Sequence, residues 1–191
     1  AIKDLANEKG LLVMGPDCGT SIISGVPICF ANKVRSGNIG VVGASGTGLQ
    51  EFTVLLDAAG CGITHAIGTG GRDLSEAVAG RTSLAAINLL AEDTQTEIIA
   101  IVSKPPSEIA EKKIIEAVKK AGKPAVLAFL GRESAELSPD LFIAATIEEA
   151  AAKTVALCKS QDPSNASMLY PREPLQPPLL EEIGKLSDAQ R

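Results

Sequence analysis

The chain has 191 residues, with 18 Lys+Arg against 23 Asp+Glu, for a formal net charge of −5. Hydrophobic residues make up 45% and aromatics only 3%. This suits one full α/β domain plus extras, or two small ones, and it is too acidic for a non-specific nucleic-acid binder, which needs a basic face to release counterions. No stretch approaches the ~20 consecutive apolar residues of a membrane span, so no membrane partner is expected. Ala1-Ile2-Lys3-Asp4 is too polar and acidic for a signal peptide, and the absence of a sustained period excludes collagen and coiled coil. The cysteines, Cys18, Cys29, Cys61 and Cys158, form no CxxC pair, and the single histidine, His65, adds little to a zinc site. They read as four reduced thiols of a cytoplasmic protein, with no metal indicated.

Residues 1–8 read as the last turns of an amphipathic helix closed by Gly10. Residues 11–14 (Leu-Leu-Val-Met) form a short apolar run with the length of a buried strand. Gly15-Pro16-Asp17-Cys18-Gly19-Thr20 forces a loop, and Gly25-Val26-Pro27 and Ser36-Gly37 mark turns. From Asn38 the pattern is regular. Strands are expected over residues 39–42, 63–67, 97–102, 125–130 and 141–145. Between them lie a helix over 49–59 (Phe52, Leu55, Leu56, Ala59) closed by Gly60, and a helix to Ala91 capped by Thr82 or Ser83 (Leu84, Ile87, Leu90). Ser107 caps a helix to Ala121, with Ile109, Ile114, Ile115 and Val118 inward and Gly122 as its stop. Thr146 caps a last helix over 147–158, with Glu148 and Glu149 in its positively polarised first turn.

Strand–helix alternation with near-continuous apolar strands predicts a doubly wound parallel sheet covered by helices on both faces, a three-layer αβα sandwich. Right-handed crossovers place the strand C-termini along one edge, where ligands bind near a switch point. The segments 15–20, 44–48, 68–71 and 103–107 should gather at that edge. After Ser160 the texture changes: five of the eleven prolines lie between residues 163 and 178, which reads as an extended connector or a strap. Residues 179–186 can start another helix. Both ends break off in mid-pattern, so the chain reads as a piece of a longer one.

Ser45-Gly46-Thr47-Gly48 opens a helix directly after a buried strand. Unbonded N–H groups and the helix dipole there suit a phosphate or carboxylate, and the two hydroxyls can add hydrogen bonds. The same residues also read as an ordinary tight turn with a Ser cap. No Gly-Lys-[Ser/Thr] follows, so this is not a Walker A loop, and it is not GxSxG. Gly68-Thr69-Gly70-Gly71-Arg72-Asp73 allows close backbone approach; Arg72 can clamp an anion, and Asp73 can cap the next turn or accept a proton. His65 reads as a packed strand residue. Cys18 lies in the Pro/Gly loop without an identifiable base partner.

Gly15-Pro16-Asp17-Cys18-Gly19-Thr20, then Gly37-Asn38-Ile39-Gly40-Val41-Val42, then Ala44-Ser45-Gly46-Thr47 resembles, in this order, the α-subunit of succinyl-CoA synthetase. Phe30-Ala31-Asn32, Gln50-Glu51 and the segment 68–74 give the nearest likeness to the FdrA family of acyl-CoA synthetase-like proteins. The resemblance covers about residues 11–158. It implies a flavodoxin-like second domain over residues 11–160, with residues 1–10 the tail of a preceding CoA-binding Rossmann domain and residues 161–191 a connector. It also implies that Pro16, Asp17 and Cys18 form the loop near the CoA thiol, that Ser45 and Gly46 start a phosphoryl-holding helix, and that Glu51 is structural. The synthetases transfer phosphate through a histidine in a segment after the fourth strand; here Gly131-Arg132-Glu133-Ser134-Ala135-Glu136 stands there, without one.

The implied function is binding of a phosphate or CoA-linked intermediate without a phosphohistidine, with Ser45, Gly46, Thr47, Gly48, Gly70, Gly71 and Arg72 as anion contacts. The resemblance leaves two alternatives open. One is a component of a carbamoyltransferase interconverting oxamate and carbamoyl phosphate in ureide breakdown; the other is a non-catalytic subunit in a homo- or hetero-oligomer.

Overall fold

The computed structural model describes residues 2–169. The chain beyond them, with most of the Pro-rich connector and the helix expected over 179–186, lies outside the described residues. The architecture is the expected αβα sandwich of flavodoxin-like topology. Its eight-stranded sheet has the order β2-β1-β4-β3-β5-β6-β8-β7. The centre is parallel: β3 (Ser36–Gly43) pairs with β4 (Ile63–Gly68) and β5 (Ile98–Ser103), β5 with β6 (Ala125–Phe129), and β6 with β8 (Leu141–Ala144).

Both edges depart from the all-parallel expectation. β1 (Thr20–Ile23) and β2 (Val26–Cys29) form an antiparallel hairpin that meets β4, and β7 (Ala135–Ser138) runs antiparallel to β8. Ser24 (φ 49°) and Gly25 (φ 74°) both take positive φ, the geometry of a two-residue turn that matches strand twist. The turn is therefore Ser24-Gly25, and Val26 and Pro27 are already in β2. Residues 11–14 are not a strand. The hairpin occupies the sheet edge, so this run lacks a ladder partner and crosses the surface with Leu11 and Met14 exposed.

Alternation along the central strands splits the core into two layers. Ile39 and Val41 face Phe52 and Leu56 of α2 (Gly46–Ala58) and Ala151 and Val155 of α5 (Ile147–Cys158). Val42, Ile99 and Ile101 face Ile87 and Leu90 of α3 (Arg81–Glu92) and Ile114 of α4 (Glu108–Ala121). Each of the fully buried Val, Leu, Ile and Phe side chains contributes on the order of 1.5–3 kcal/mol. On α4 the inward stripe is Ala110, Ile114 and Val118, one helical row; Ile109 falls off it and is exposed.

Candidate functional site

β4 and β5 flank β3 on opposite sides, so the connection after β3, to β4, and the connection after β5, to β6, run in opposite directions. Such a switch point opens a crevice at the strand carboxyl ends. Here it holds a cleft of about 560 Å³ lined by Asp17, Ser45, Gly46, Thr47, Gly71, Lys104 and Ser107, among others. The four segments expected at this edge all reach it.

The first wall is the start of α2. Ser45 sits in extended conformation, and its Oγ accepts from the Gly48 amide at 3.2 Å. The first intrahelical bond runs from Leu49 N to Ser45 O, 2.9 Å, so the amides of Gly46 and Thr47 precede it. Both residues are exposed at the cleft, whereas Gly48 is buried. A Cβ on Gly48 would stand 3.1 Å from Val102 Cγ1, so this glycine lets α2 approach β5.

The second wall is the start of α4. Ser107 Oγ accepts from the Ala110 amide at 3.3 Å. Just ahead lies exposed Lys104, which has no ion-pair partner among the described residues. Two helix N-termini and one cation thus border one cleft, an arrangement that stabilises an anion by charge and by directed N–H donors. Lys104 and Ser107 were not singled out as anion contacts from sequence. The available signal was a cation directly before a capped helix, after a buried strand.

The third wall joins two loops. Cys18 Sγ donates to Gly68 O at 3.1 Å. The Pro16 carbonyl occupies the space a Cβ on Gly70 would take. Asp17 (φ 61°) and Gly71 lie on the cleft side. Pro16 and Arg72 lie on the other side, in a separate pocket of about 430 Å³ bordered by α1 (Ile2–Glu8). The structure thus brings Ser45, Gly46, Thr47 and Gly71 together with Asp17, and places Arg72 apart from them.

Asp73 is a helix cap. Its buried carboxylate accepts from Thr82 N (2.9 Å), Ser83 N (2.8 Å) and Ser83 Oγ (2.7 Å). Thr82 and Ser83, expected to cap α3, are instead donors in its first turn, and Gly80 is the N-cap residue. His65 stands away from the cleft: its Nδ1 accepts from Ser24 N at 3.2 Å and its Nε2 lies 3.5 Å from Asp93 Oδ2. The Thr96 hydroxyl, bonded at 2.6 Å, leads in holding the Asp93 carboxyl below its usual range. Glu51 is exposed on α2. The loop after β6 turns outward, with Arg132 bonded to Glu111 at 2.6 Å and Ser134 to Glu149 at 2.6 Å. All four cysteines are free thiols. No group of three or more His, Cys, Asp or Glu among the described residues could hold a metal ion, and no helix there is long and apolar enough to cross a membrane.

A family model described as CoA binding domain matches residues 34–131, more than half of the chain. The chain belongs to the CoA-binding domain family. Within this CoA-binding-family chain the match spans β3 through β6, the strands that carry the α2 and α4 walls of the cleft. The uncharacterized protein YahF of Escherichia coli (strain K12) is 52% identical over 158 residues, 82% of this chain and 31% of that protein. Subunit alpha 1 of the ADP-forming succinate–CoA ligase of Archaeoglobus fulgidus is 30% identical over 128 residues, 65% of this chain and 42% of that subunit. The chain therefore spans well under half the length of these relatives. Among solved structures, ATP citrate lyase from Methanothrix soehngenii, in complex with citrate and coenzyme A, shares the fold with a TM-score of 0.65 at 17% identity, covering 98% of this chain and 37% of that one.

Proposed function

We propose that the switch-point cleft binds the phosphoryl or phosphate-bearing end of a CoA-linked intermediate, as one domain of an FdrA-like acyl-CoA synthetase-type protein. The observation that carries this reading is the convergence of the α2 and α4 N-termini with Lys104 on one cleft. Gly46 and Thr47 offer amides, Ser45 and Thr47 offer hydroxyls, and Gly71 permits close approach. Gly48 and Gly70 act by shaping the walls. Of the 16–18 loop, Asp17 lines the cleft where the thiol end of coenzyme A would arrive, whereas Pro16 faces the pocket behind it and the Cys18 thiol is turned onto the Gly68 carbonyl. Residues 11–160 constitute this domain, residues 1–10 the tail of a preceding one, and residues 161–191 a connector, within a cytoplasmic oligomer.

A second reading is carbamoyl transfer between oxamate and carbamoyl phosphate. It is favoured by the absence of a histidine in residues 131–136 and by the placement of His65 away from the cleft. Positioning and charge stabilisation alone can support transfer without a phosphoenzyme. A purely architectural role is the third possibility.

Ligand-dependent thermal stabilisation separates them, since a ligand at about one hundred times its Kd adds about 2.7 kcal/mol. Coenzyme A, ATP, carbamoyl phosphate and inorganic phosphate are compared on the wild type and on Ser45→Asp, which places a negative charge in the cradle. Phosphate-type ligands should raise the melting temperature of the wild type and not of the variant. Stabilisation by carbamoyl phosphate beyond phosphate supports carbamoyl transfer. Stabilisation by none of the four supports the architectural role and overturns the first two.

A further inference from the structure

Two of the four cysteines meet at the end of the molecule opposite the cleft, on the α2/α5 face of the sheet. Cys61 follows α2 in the turn before β4: its amide donates to Leu56 O at 2.9 Å, and Gly60 just ahead takes φ 87°. Cys158 is the last residue of α5. The start of β3 lies against both. Ile39 N donates to Gly62 O at 3.2 Å, and Cys158 Sγ lies 3.8 Å from Asn38 Oδ1. Asn38 Nδ2 donates to Glu97 Oε2 at 2.6 Å, which leaves the amide oxygen as the atom turned to the thiol. Both cysteines pack in one apolar cluster, and their thiols are hydrogen-bonded to each other. They differ in access: Cys61 is 2% exposed, whereas Cys158 is half-buried at a helix end.

We propose that Cys61 and Cys158 are a peroxide-oxidised pair that closes into a reversible disulfide, Cys158 meeting the peroxide and Cys61 resolving it. Burial, and then the hydrogen bond to Cys158, push the Cys61 thiol up to about 12. Cys61 therefore stays protonated and out of reach, and Cys158 is the sulfur that a solute can approach. The Cys158 sulfur attacks one oxygen of hydrogen peroxide. The O–O bond breaks, a sulfenic acid forms, and the second oxygen leaves as water with the thiol proton. The Cys61 sulfur then displaces the hydroxyl group, the S–S bond forms, and the hydroxyl leaves as a second water with the Cys61 proton. The two sulfurs together give up two electrons, and the peroxide is reduced to two waters. A thiol reductant reopens the bond by exchange, so in a reducing compartment it is transient. The bond closes a loop of about 100 residues and joins the C-terminal ends of α2 and α5, which pack side by side. Because α2 borders the cleft at its other end, oxidation holds the first wall in place without entering the site. The proposal stands independently of what the cleft binds.

The test treats the reduced 191-residue chain with hydrogen peroxide in a Cys29→Ser background, which removes the exposed thiol. Peptide mapping without reductant should find Cys61 joined to Cys158 with the loss of two hydrogens. In Cys61→Ala the reaction should stop at a Cys158 sulfenic acid, trapped by dimedone. In Cys158→Ala the Cys61 thiol should stay reduced. That second variant changes a half-buried residue at a helix end, so the test does not rest on the buried position alone. The oxidised chain should melt about 5 °C or more above the reduced one, and dithiothreitol should restore the lower value. A cross-link that forms only in urea, one that joins Cys18 instead, oxidation of Cys61 in Cys158→Ala, or an oxidised chain that melts no higher would each overturn the proposal.

Discussion

The Cys18 thiol donates to the Gly68 carbonyl at 3.1 Å and so ties the loop before β1 to the end of β4. The contact depends on a bare backbone: a Cβ on Gly68 would stand 2.5 Å from that sulfur and 2.4 Å from the Thr20 carbonyl. Gly68→Ala should therefore cost about 1–3 kcal/mol or more through forced backbone displacement. Cys18→Ser keeps a donor and should cost less. Urea unfolding of the two variants checks the order, and equal losses would contradict it.

Asp73 should be the most sensitive carboxylate of the described residues. Its truncation strips two amides and a buried hydroxyl of their acceptor at the start of α3. Asp73→Ala should destabilise by about 2–4 kcal/mol, combining a lost cap with unsatisfied buried donors. Asp73→Asn, which keeps one acceptor oxygen, should lose roughly half as much. Chemical denaturation measures both, and a loss below that of a surface mutation would refute the capping role.

Acid should weaken the Arg35–Asp57 link. Arg35 Nε and its backbone amide each bond Asp57 Oδ1 at 2.8 Å, and the guanidinium bond leads in holding the Asp57 carboxyl below its ordinary 3.8. A depressed folded-state pKa means the stabilisation is present above the unfolded value and is lost as pH falls through the folded one. The pair is largely solvated, so its contribution is small and salt-sensitive. Asp57→Asn should lower stability slightly at pH 7, where the pair is intact, and converge with the wild type as pH falls below about 4, flattening the acid limb. An unchanged acid limb would count against the pair.

The thiols should separate by reactivity. Burial, with Cys158 beside it, pushes the Cys61 thiol up to about 12, whereas Cys29 is exposed on β2. Since the thiolate is the nucleophile, iodoacetamide at pH 8 should label Cys29 first and Cys61 only on unfolding. Peptide mapping by mass spectrometry reads the order.

Lys153 is 6% exposed, and its Nζ reaches the carbonyls of Pro163 (3.2 Å) and Ser164 (3.3 Å) and lies 3.6 Å from Glu149. Lys153→Met should free residues 161–166 while leaving α5 intact, because methionine fills the space without donating. Faster proteolysis after Ser160 in the variant is the expected result; unchanged protection would show that other contacts hold the segment.

The central strands and their helices were legible because their apolar runs are continuous and their caps explicit: Ser45, Ser107 and Thr146 each accept from the expected turn. The edges were not. β7 alternates apolar and polar residues over only four positions, all exposed, and β2 is exposed on both faces, so neither has the buried period that marks a strand. The Asp73 cap was legible only as an option, because its donors lie nine and ten residues away and meet it through the fold. At the cleft, the glycine-rich turns announced themselves. Lys104 did not, because a single exposed lysine has no pattern until α4 is seen to start beside α2. Arg72 was legible as an anion clamp, but the side of the loop it faces is set by Gly70 and Pro16 together.

The walls of the cleft come from separate connections, those after β3, β4 and β5 and the one before β1, each joined to a different strand of a sheet already fixed by its own core. Connections of this kind tolerate change that the strands do not. Ligand preference can therefore be rewritten one wall at a time, and two descendants of such a scaffold can diverge in chemistry while their interiors stay superimposable.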